Sequence, residues 1–111
     1  KVLVLGLTFK ENCPDLRNTK VVDIVKALRA YNTDVDVYDP WIDVSEAQHE
    51  YGLRCLDTPP KPGTYAAIVL AVGHHQFTAM GEAGIKALGE ADAVIYDVKS
   101  ILPVTAVDGR L

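Results

Sequence analysis

The chain of 111 residues, 49% apolar and 23% charged, has the length and composition of one globular domain with a hydrophobic core. Its net charge of −4 excludes the general electrostatic attraction on which nucleic-acid binders depend. The longest apolar run covers residues 65–72. This is far short of the roughly 20 residues that cross a bilayer, and the first residues lack the layout of a signal peptide. We therefore expect a cytoplasmic protein that binds neither nucleic acid nor membrane.

The first part of the chain alternates strand-like and helix-like patterns. Residues 1–7 are apolar nearly throughout, which is typical of a parallel strand covered on both faces. Apolar residues then recur with helical spacing and predict a helix that ends near Ala30 and is capped by Asn18 or Thr19. Residues 34–38 alternate polar and apolar side chains and predict a second strand. Because the chain opens directly on a strand, we expect a fragment of a longer protein.

The rest of the chain continues the alternation. Three prolines within residues 57–63 exclude regular structure there, so this segment is predicted to be a connector. Gly81 and Gly84 are expected to interrupt the last helix. The other predicted elements are a helix over 44–51 ended by Gly52, a brief strand over 53–56, a strand over 65–72, a helix over 75–88 and a strand over 92–97.

The alternation of strands and helices predicts the fold class. Right-handed βαβ units pack over a parallel sheet, so we expect a three-layer, Rossmann-like α/β domain with a mostly parallel sheet. In open sheets of this kind, ligands bind at the carboxyl ends of the strands, near the point where the strand order reverses. The segments that qualify are residues 8–17, 39–41 and 98–100.

The loop after the first strand carries a candidate anion site. A dinucleotide fingerprint would need several glycines, and here Gly6 stands alone before Leu7, Thr8, Phe9 and Lys10. Lys10 suits a phosphate and Phe9 offers a flat apolar face, which together match the shape of a nucleotide. The alternative is that Phe9 only closes the sheet edge and Lys10 is a solvated surface charge.

Arg17 lies in the same loop as a candidate anion ligand. An arginine can form a bidentate pair with a phosphate or a carboxylate. A local ion pair with Asp15 is the interpretation that residue types alone favour. Asp39 follows the second strand but stands more than 30 residues after Gly6, where a ribose-binding carboxylate is expected about 20 residues on. We therefore interpret Asp39 as a turn residue and Trp41 as a partly buried anchor.

The histidines and cysteines do not form a recognisable site in the sequence. His74 and His75 are adjacent, so they lack the spacing of a helical metal-binding pair, and we expect no metal. Cys13 and Cys55 stand far apart without a CxxC motif and are expected to be free thiols. Cys13 has no neighbouring histidine base, so we do not expect it to be a nucleophile.

The resemblance to a known family rests on three segments: GLTFKENCPDLRNT at 6–19, VYDPW at 37–41 and YDVK at 96–99. Over nearly the whole chain they resemble the carboxy-terminal domain of the UDP-glucose/GDP-mannose dehydrogenase family. The forms at 6–19, 71–74 and 97–99 are similar to the branch that acts on UDP-N-acetylhexosamines for bacterial surface polysaccharides. The resemblance thus implies a single UDP-sugar-binding domain over residues 1–111.

The resemblance implies that the complete enzyme uses NAD to oxidise C6 of a UDP-sugar from alcohol to carboxylate. In this family NAD and the catalytic cysteine belong to upstream domains, so the chain alone is expected to be inactive. The implied partners are the UDP-sugar and the amino-terminal and central domains of the same enzyme. The complete enzyme is expected to be a homo-oligomer. Two alternatives remain open: a non-catalytic α/β interface or regulatory module, and the same domain from a UDP-glucose or GDP-mannose dehydrogenase.

The resemblance also implies roles for four residues. Phe9 and Lys10 match the family's substrate-contacting pair, and Arg17 matches an arginine that reaches NAD held by another domain. Lys99 stands near the position of a basic substrate-binding residue, although the family often has Asp-Gly-Arg where this chain has residues 97–99 as Asp-Val-Lys. No catalytic residue and no metal ligand is expected within the chain.

Overall fold

One parallel sheet organises the domain. The computed structural model describes residues 1–17, 19–103 and 107–110. The strands pair in the order β2-β1-β3-β4-β5, and every pair is parallel. The predicted α/β class with its parallel sheet is therefore confirmed. The elements are β1 Val2–Leu5, α1 Val21–Ala30, β2 Val35–Tyr38, α2 Val44–Tyr51, β3 Tyr65–Leu70, α3 His75–Lys86, β4 Gly89–Asp97 and β5 Gly109–Arg110.

The strand order reverses beside β1. The chain passes from β1 through α1 to β2 on one side, and then through α2 to β3 on the other side of β1. Connections that leave in opposite directions open a crevice at the carboxyl ends of the two central strands. The segments that begin at Gly6 and at Ala71 border this crevice.

Helices cover both faces of the sheet and produce the predicted three layers. Successive residues of a strand point to opposite faces. Val4 of β1 accordingly packs in an apolar cluster with α1, whereas Leu3 and Leu5 pack in a second cluster with α3. All three side chains are fully buried, and each contributes about 1.5–3 kcal/mol of hydrophobic free energy. Burial on two faces explains why β1 is apolar at consecutive positions.

The start of α1 differs from the prediction. Lys20 occupies the cap position and its side chain makes no capping hydrogen bond. Thr19 lies one residue earlier and its hydroxyl accepts the N–H of Val21 at 3.2 Å, so it stabilises the helix start from outside the cap position. Asn18, the other predicted cap, lies outside the described residues. The end of α2 at Gly52, where φ is 65°, is as predicted.

The predicted strand over residues 53–56 is wrong. Leu53 and Cys55 are buried, but the segment has no strand geometry. It is held to β2 through the N–H of Leu56, which donates to Val37 O at 2.8 Å. Burial of alternate side chains therefore gave this segment the pattern of a strand without a paired ladder.

The last elements match in type and differ in their bounds. α3 is kinked at Gly81, with φ 66° and ψ −176°, as predicted, whereas Gly84 stays helical. β4 begins at Gly89, earlier than the predicted residue 92. β5 was not predicted, because two residues are too few to show a period. In the described part of the chain, no helix combines the length and apolar character needed to cross a membrane.

Candidate functional site

A cleft of about 170 Å³ lies at the carboxyl edge of the sheet. It is formed where the segments after β1, β3 and β4 meet the start of α1. Because β3 lies between β1 and β4, residues that follow β1 and β4 can face each other across the cleft. The cleft is lined by Thr8, Phe9, Thr19, Lys20, Val21, Ile24, Ala71, Val72, Val98 and Lys99.

Two of the predicted substrate-binding residues line this cleft. Phe9 is 54% exposed, an unusual state for a phenylalanine, and Lys99 is also exposed. The sheet thus brings together an aromatic face and a cation that are 90 positions apart in the sequence. Lys10 follows Phe9 and is exposed, but it does not belong to the lining. Its contact with a phosphate stays a prediction.

Sequence reasoning missed Lys20, which also lines the cleft. Lys20 precedes the first turn of α1, where the helix dipole presents partial positive charge. Its position directly before a helix that follows a buried strand is the sequence feature that could have identified it. With Lys20, Lys99 and the helix start on its walls, the cleft favours an anion, and Phe9 adds a surface on which a flat ring can stack.

The turn after β1 does not have the shape of a dinucleotide cradle. Gly6 has φ 99°, and a Cβ built on it would lie 2.6 Å from Cβ and 2.9 Å from N of Val72. The backbone at Gly6 is therefore packed directly against the extension of β3. The residues of this turn do not fit NAD bound in the manner of a GxGxxG loop.

Asp39 does more than form a turn. Its Oδ1 accepts the N–H of Trp41 at 2.8 Å, as a turn-forming aspartate does. Its Oδ2 also accepts the N–H groups of Leu7 at 2.7 Å and Thr8 at 3.1 Å. Burial raises the pKa of Asp39, but hydrogen bonds from His74 and from the backbone outweigh this effect and hold the pKa below its usual value. The carboxylate thus stays ionised and ties the end of β2 to the loop after β1.

His74 is completely buried next to Asp39. Its Nε2 lies 2.9 Å from Asp39 Oδ2 and 3.1 Å from Thr8 Oγ1. Its Nδ1 accepts the backbone N–H of Asn12 at 2.9 Å. The Asn12 side chain in turn accepts the N–H of His75 at 2.8 Å. Sequence reasoning considered the histidine pair for metal binding and did not foresee this buried contact, and among the described residues no group of three His, Cys, Asp or Glu side chains could hold a metal ion.

Asp97 orients the loop that carries Lys99. The Asp97 side chain is fully buried, and its Oδ1 accepts the N–H of Lys99 at 3.1 Å. Its Oδ2 accepts the N–H of Leu102 at 2.8 Å. Asp97 and Asp39 therefore play the same part at the ends of two strands, since each buried carboxylate bends the following residues into a fixed turn.

Arg17 lies outside the cleft and is paired with Asp15. Its Nε donates to Asp15 Oδ1 and its NH2 group donates to Oδ2, each at 3.1 Å. The pKa of Asp15 is lowered, mainly by the hydrogen bond from this side chain. The favoured interpretation of a local ion pair is confirmed. The Arg17 side chain remains 86% exposed, and its contact with NAD stays a prediction.

The two cysteines are free thiols, as predicted. Cys13 is partly buried in the loop after β1, and Cys55 is buried in the first apolar cluster. Burial raises the pKa of Cys55 to about 11, so at neutral pH it is an uncharged thiol that packs as a small apolar side chain.

Comparison with known proteins identifies the domain. The model of the UDP-glucose/GDP-mannose dehydrogenase family, UDP binding domain, matches residues 3–104. Two UDP-N-acetyl-D-glucosamine 6-dehydrogenases are similar: the Pseudomonas aeruginosa protein at 54% identity over 100% of this chain, and the Salmonella typhi protein at 48% over 99%. This chain spans 26% of each of them. The structure of the UDP-D-ManNAc dehydrogenase from Pyrococcus horikoshii superposes with a TM-score of 0.72 at 26% identity, covering 98% of this chain and 24% of that one. The chain therefore belongs to the UDP-glucose/GDP-mannose dehydrogenase family and is a UDP-binding domain of it.

Proposed function

We propose that the chain is the nucleotide-sugar-binding domain of a longer, NAD-dependent UDP-N-acetylhexosamine 6-dehydrogenase. The complete enzyme would oxidise C6 of the sugar from alcohol to carboxylate and serve the synthesis of surface polysaccharide. Identities of 54% and 48% to two UDP-N-acetyl-D-glucosamine 6-dehydrogenases support this substrate class. The single observation that carries the proposal is the cleft at the strand-order reversal, which has two lysines and an exposed phenylalanine on its walls.

Each wall of the cleft suits one part of a UDP group. Lys99 and Lys20 line the cleft, and a lysine binds phosphate as a flexible point charge. Phe9 offers the ring face on which a uracil base can stack. Lys10 extends from the same loop on a flexible stem, and we assign it to the diphosphate with them. The domain's part in the reaction is to hold and orient the nucleotide, and none of these residues moves a proton.

The remainder of the longer protein would supply the NAD site and the reacting groups. The turn after β1 has a single glycine and lacks the glycine pattern of a dinucleotide loop, whereas Arg17 is exposed and held in one direction by Asp15. We assign Arg17 to a contact with NAD held by the other domains. The chain alone is therefore expected to be inactive. Its two free thiols agree with a reducing compartment, and we infer a cytoplasmic enzyme that is homo-oligomeric when complete.

Titration of UDP, followed by steady-state kinetics of the longer enzyme, tests the proposal. A charge-assisted contact contributes about 1.5–3 kcal/mol. Replacing either Lys99 or Lys10 by alanine should therefore raise Kd for UDP and KM for the UDP-sugar roughly tenfold or more. Lys61→Ala is the matched control, because Lys61 is an exposed lysine in the connector before β3, at the opposite edge of the sheet.

The outcomes separate the proposal from the non-catalytic alternative. UDP binding that weakens with salt and with the loss of Lys99 supports a nucleotide site, because counterions compete with the lysines for phosphate. Absence of UDP binding by the intact protein would favour an interface or regulatory module. If Lys99→Ala matches Lys61→Ala in every constant, the cleft is not the nucleotide site.

A further inference from the structure

A buried polar network contacts the loop of residues 8–12, here called the Phe9 loop. None of the nucleotide contacts proposed above involves the residues of this network. Asp39 and His74 are only 3% and 0% exposed. They come from the ends of β2 and β3, are 35 positions apart in the sequence, and meet at 2.9 Å. The ring of Trp41 packs against that of His74, with centroids 6.0 Å apart. Two polar groups are rarely shielded so completely unless each of their atoms has a partner.

The hydrogen-bond directions fix the state of the histidine ring. The backbone N–H of Asn12 can only donate, so His74 Nδ1, its acceptor at 2.9 Å, carries no proton. The ring proton must then lie on Nε2, where it is donated to Asp39 Oδ2. The Thr8 hydroxyl donates its own proton to Lys10 O at 3.0 Å. Toward Nε2, which is 3.1 Å away, its oxygen can therefore only be a second acceptor of the same ring proton. The ring is therefore neutral and in the Nε2–H form.

The network holds the loop that carries Phe9 and Lys10. Asp39 fixes the beginning of this loop through two backbone N–H groups, those of residues 7 and 8. His74 fixes its far end through Asn12. Asn12 has φ 56°, in the left-handed region that few residues other than glycine adopt and that asparagine adopts more readily than most. Because residues 8–12 form no helix or strand, these bonds take the place of a regular backbone ladder.

We propose that His74 and Asp39 are positioning residues of the nucleotide site. Asp39 and the neutral Nε2–H ring of His74 hold the backbone of residues 7–12, and so aim Phe9 and Lys10 at the nucleotide without touching it. The proposal rests on the proposed function, since it concerns the same site. It assigns a role in substrate binding to two residues that lie behind the cleft wall.

Two substitutions at His74 separate its two hydrogen bonds. His74→Asn places an amide oxygen near the position of Nδ1, where it can still accept from Asn12. His74→Gln places an amide nitrogen near the position of Nε2, where it can still donate to Asp39 but leaves Asn12 without its acceptor. We expect His74→Gln to raise KM for the UDP-sugar roughly fivefold or more. His74→Asn keeps the bond from Asn12 but loses the one to Asp39, so it should raise KM for the UDP-sugar by a smaller factor, and KM for NAD should not change in either variant.

Controls distinguish positioning from stability and from failure of the proposed function. Ile85→Val shortens a buried side chain of α3 far from the loop, so it lowers the melting temperature but should leave KM unchanged. If Lys99→Ala leaves UDP-sugar binding intact, the proposed function itself fails. If Lys99→Ala weakens binding but both His74 variants keep the wild-type KM, or if the two variants and Ile85→Val raise it equally, only the positioning role is overturned.

Ring-nitrogen NMR of the unsubstituted full-length protein tests the network even if the variants do not fold. The expected result is a His74 ring with its proton on Nε2 in the resting protein. UDP binding should shift the Asn12 backbone amide together with the resonances of Phe9. A proton on Nδ1, or an Asn12 amide that does not respond to UDP, would overturn the proposal.

Discussion

Replacing Gly6 by alanine should destabilise the domain more than the same change at a glycine with free space around the added Cβ. Gly6 has φ 99°, and the new Cβ would lie 2.6 Å from Cβ of Val72 and 2.9 Å from its backbone nitrogen. Left-handed backbone conformations cost a residue with a side chain roughly 1–2 kcal/mol. Overpacking a well-filled site typically costs about 1–3 kcal/mol more. The expected loss in free energy of unfolding is therefore about 2–5 kcal/mol.

Gly52→Ala provides a matched control for the backbone part of this cost. Gly52 has φ 65°, and nothing lies within 4 Å of a Cβ built there. It should therefore lose only the conformational part, about 1–2 kcal/mol. Urea denaturation of the two variants measures the difference, provided that the slope of the free energy against urea stays constant. The contact with Val72 accounts for any excess loss in Gly6→Ala.

The result bears on the site because β1 and β3 border the cleft on either side of this contact. An alanine at residue 6 must push β1's exit away from Val72, which lines the cleft. UDP affinity should therefore fall along with stability in Gly6→Ala and stay unchanged in Gly52→Ala. If the two variants lose the same free energy of unfolding, the contact between residue 6 and Val72 adds no cost of its own. That result would refute the predicted clash at Gly6.

Two further predictions concern Arg17 and Cys55. Arg17→Ala in the longer enzyme should raise KM for NAD roughly tenfold, because one charge-assisted contact is lost, and should leave KM for the UDP-sugar nearly unchanged. If steady-state kinetics show the reverse pattern, Arg17 contacts the substrate instead. The pKa of Cys55 is raised to about 11 by burial, so the folded chain binds more protons than the unfolded chain between about pH 9 and 11. Its free energy of unfolding should fall as pH rises through this window. Cys55→Ala should make that fall shallower in urea denaturation at each pH, and an unchanged slope would contradict the assignment.

Much of the fold could be predicted from local patterns. β1 is apolar at consecutive positions because both of its faces are buried, and α2 ends at a glycine whose φ of 65° suits no larger residue as well. Local patterns failed where burial imitated a strand, as it does at Leu53 and Cys55, and where an element was too short to show a period, as in β5. In both cases the deciding factor is pairing with another strand, which a single segment cannot reveal.

The candidate site was only partly predictable. Phe9 and Lys99 could be found because ligands gather at the ends of parallel strands, and because the residues around them resemble a family pattern. Lys20 was missed because its place beside the cleft depends on where α1 starts, and the cap is Lys20 instead of the predicted Asn18 or Thr19. His74 was missed because its partners, Asp39 and Asn12, are 35 and 62 positions away in the sequence.

Local patterns were enough to predict the alternation of strands and helices, the parallel sheet and the family, because these depend on period, turn residues and short motifs. Which chemical groups meet depends instead on how the whole domain packs. Asp39 could be a turn residue in any chain with this local sequence. It became a buried anchor of the Phe9 loop because the order β2-β1-β3 places the ends of three strands side by side. Contacts between distant segments depend on strand order, and strand order is a property of the packed sheet as a whole.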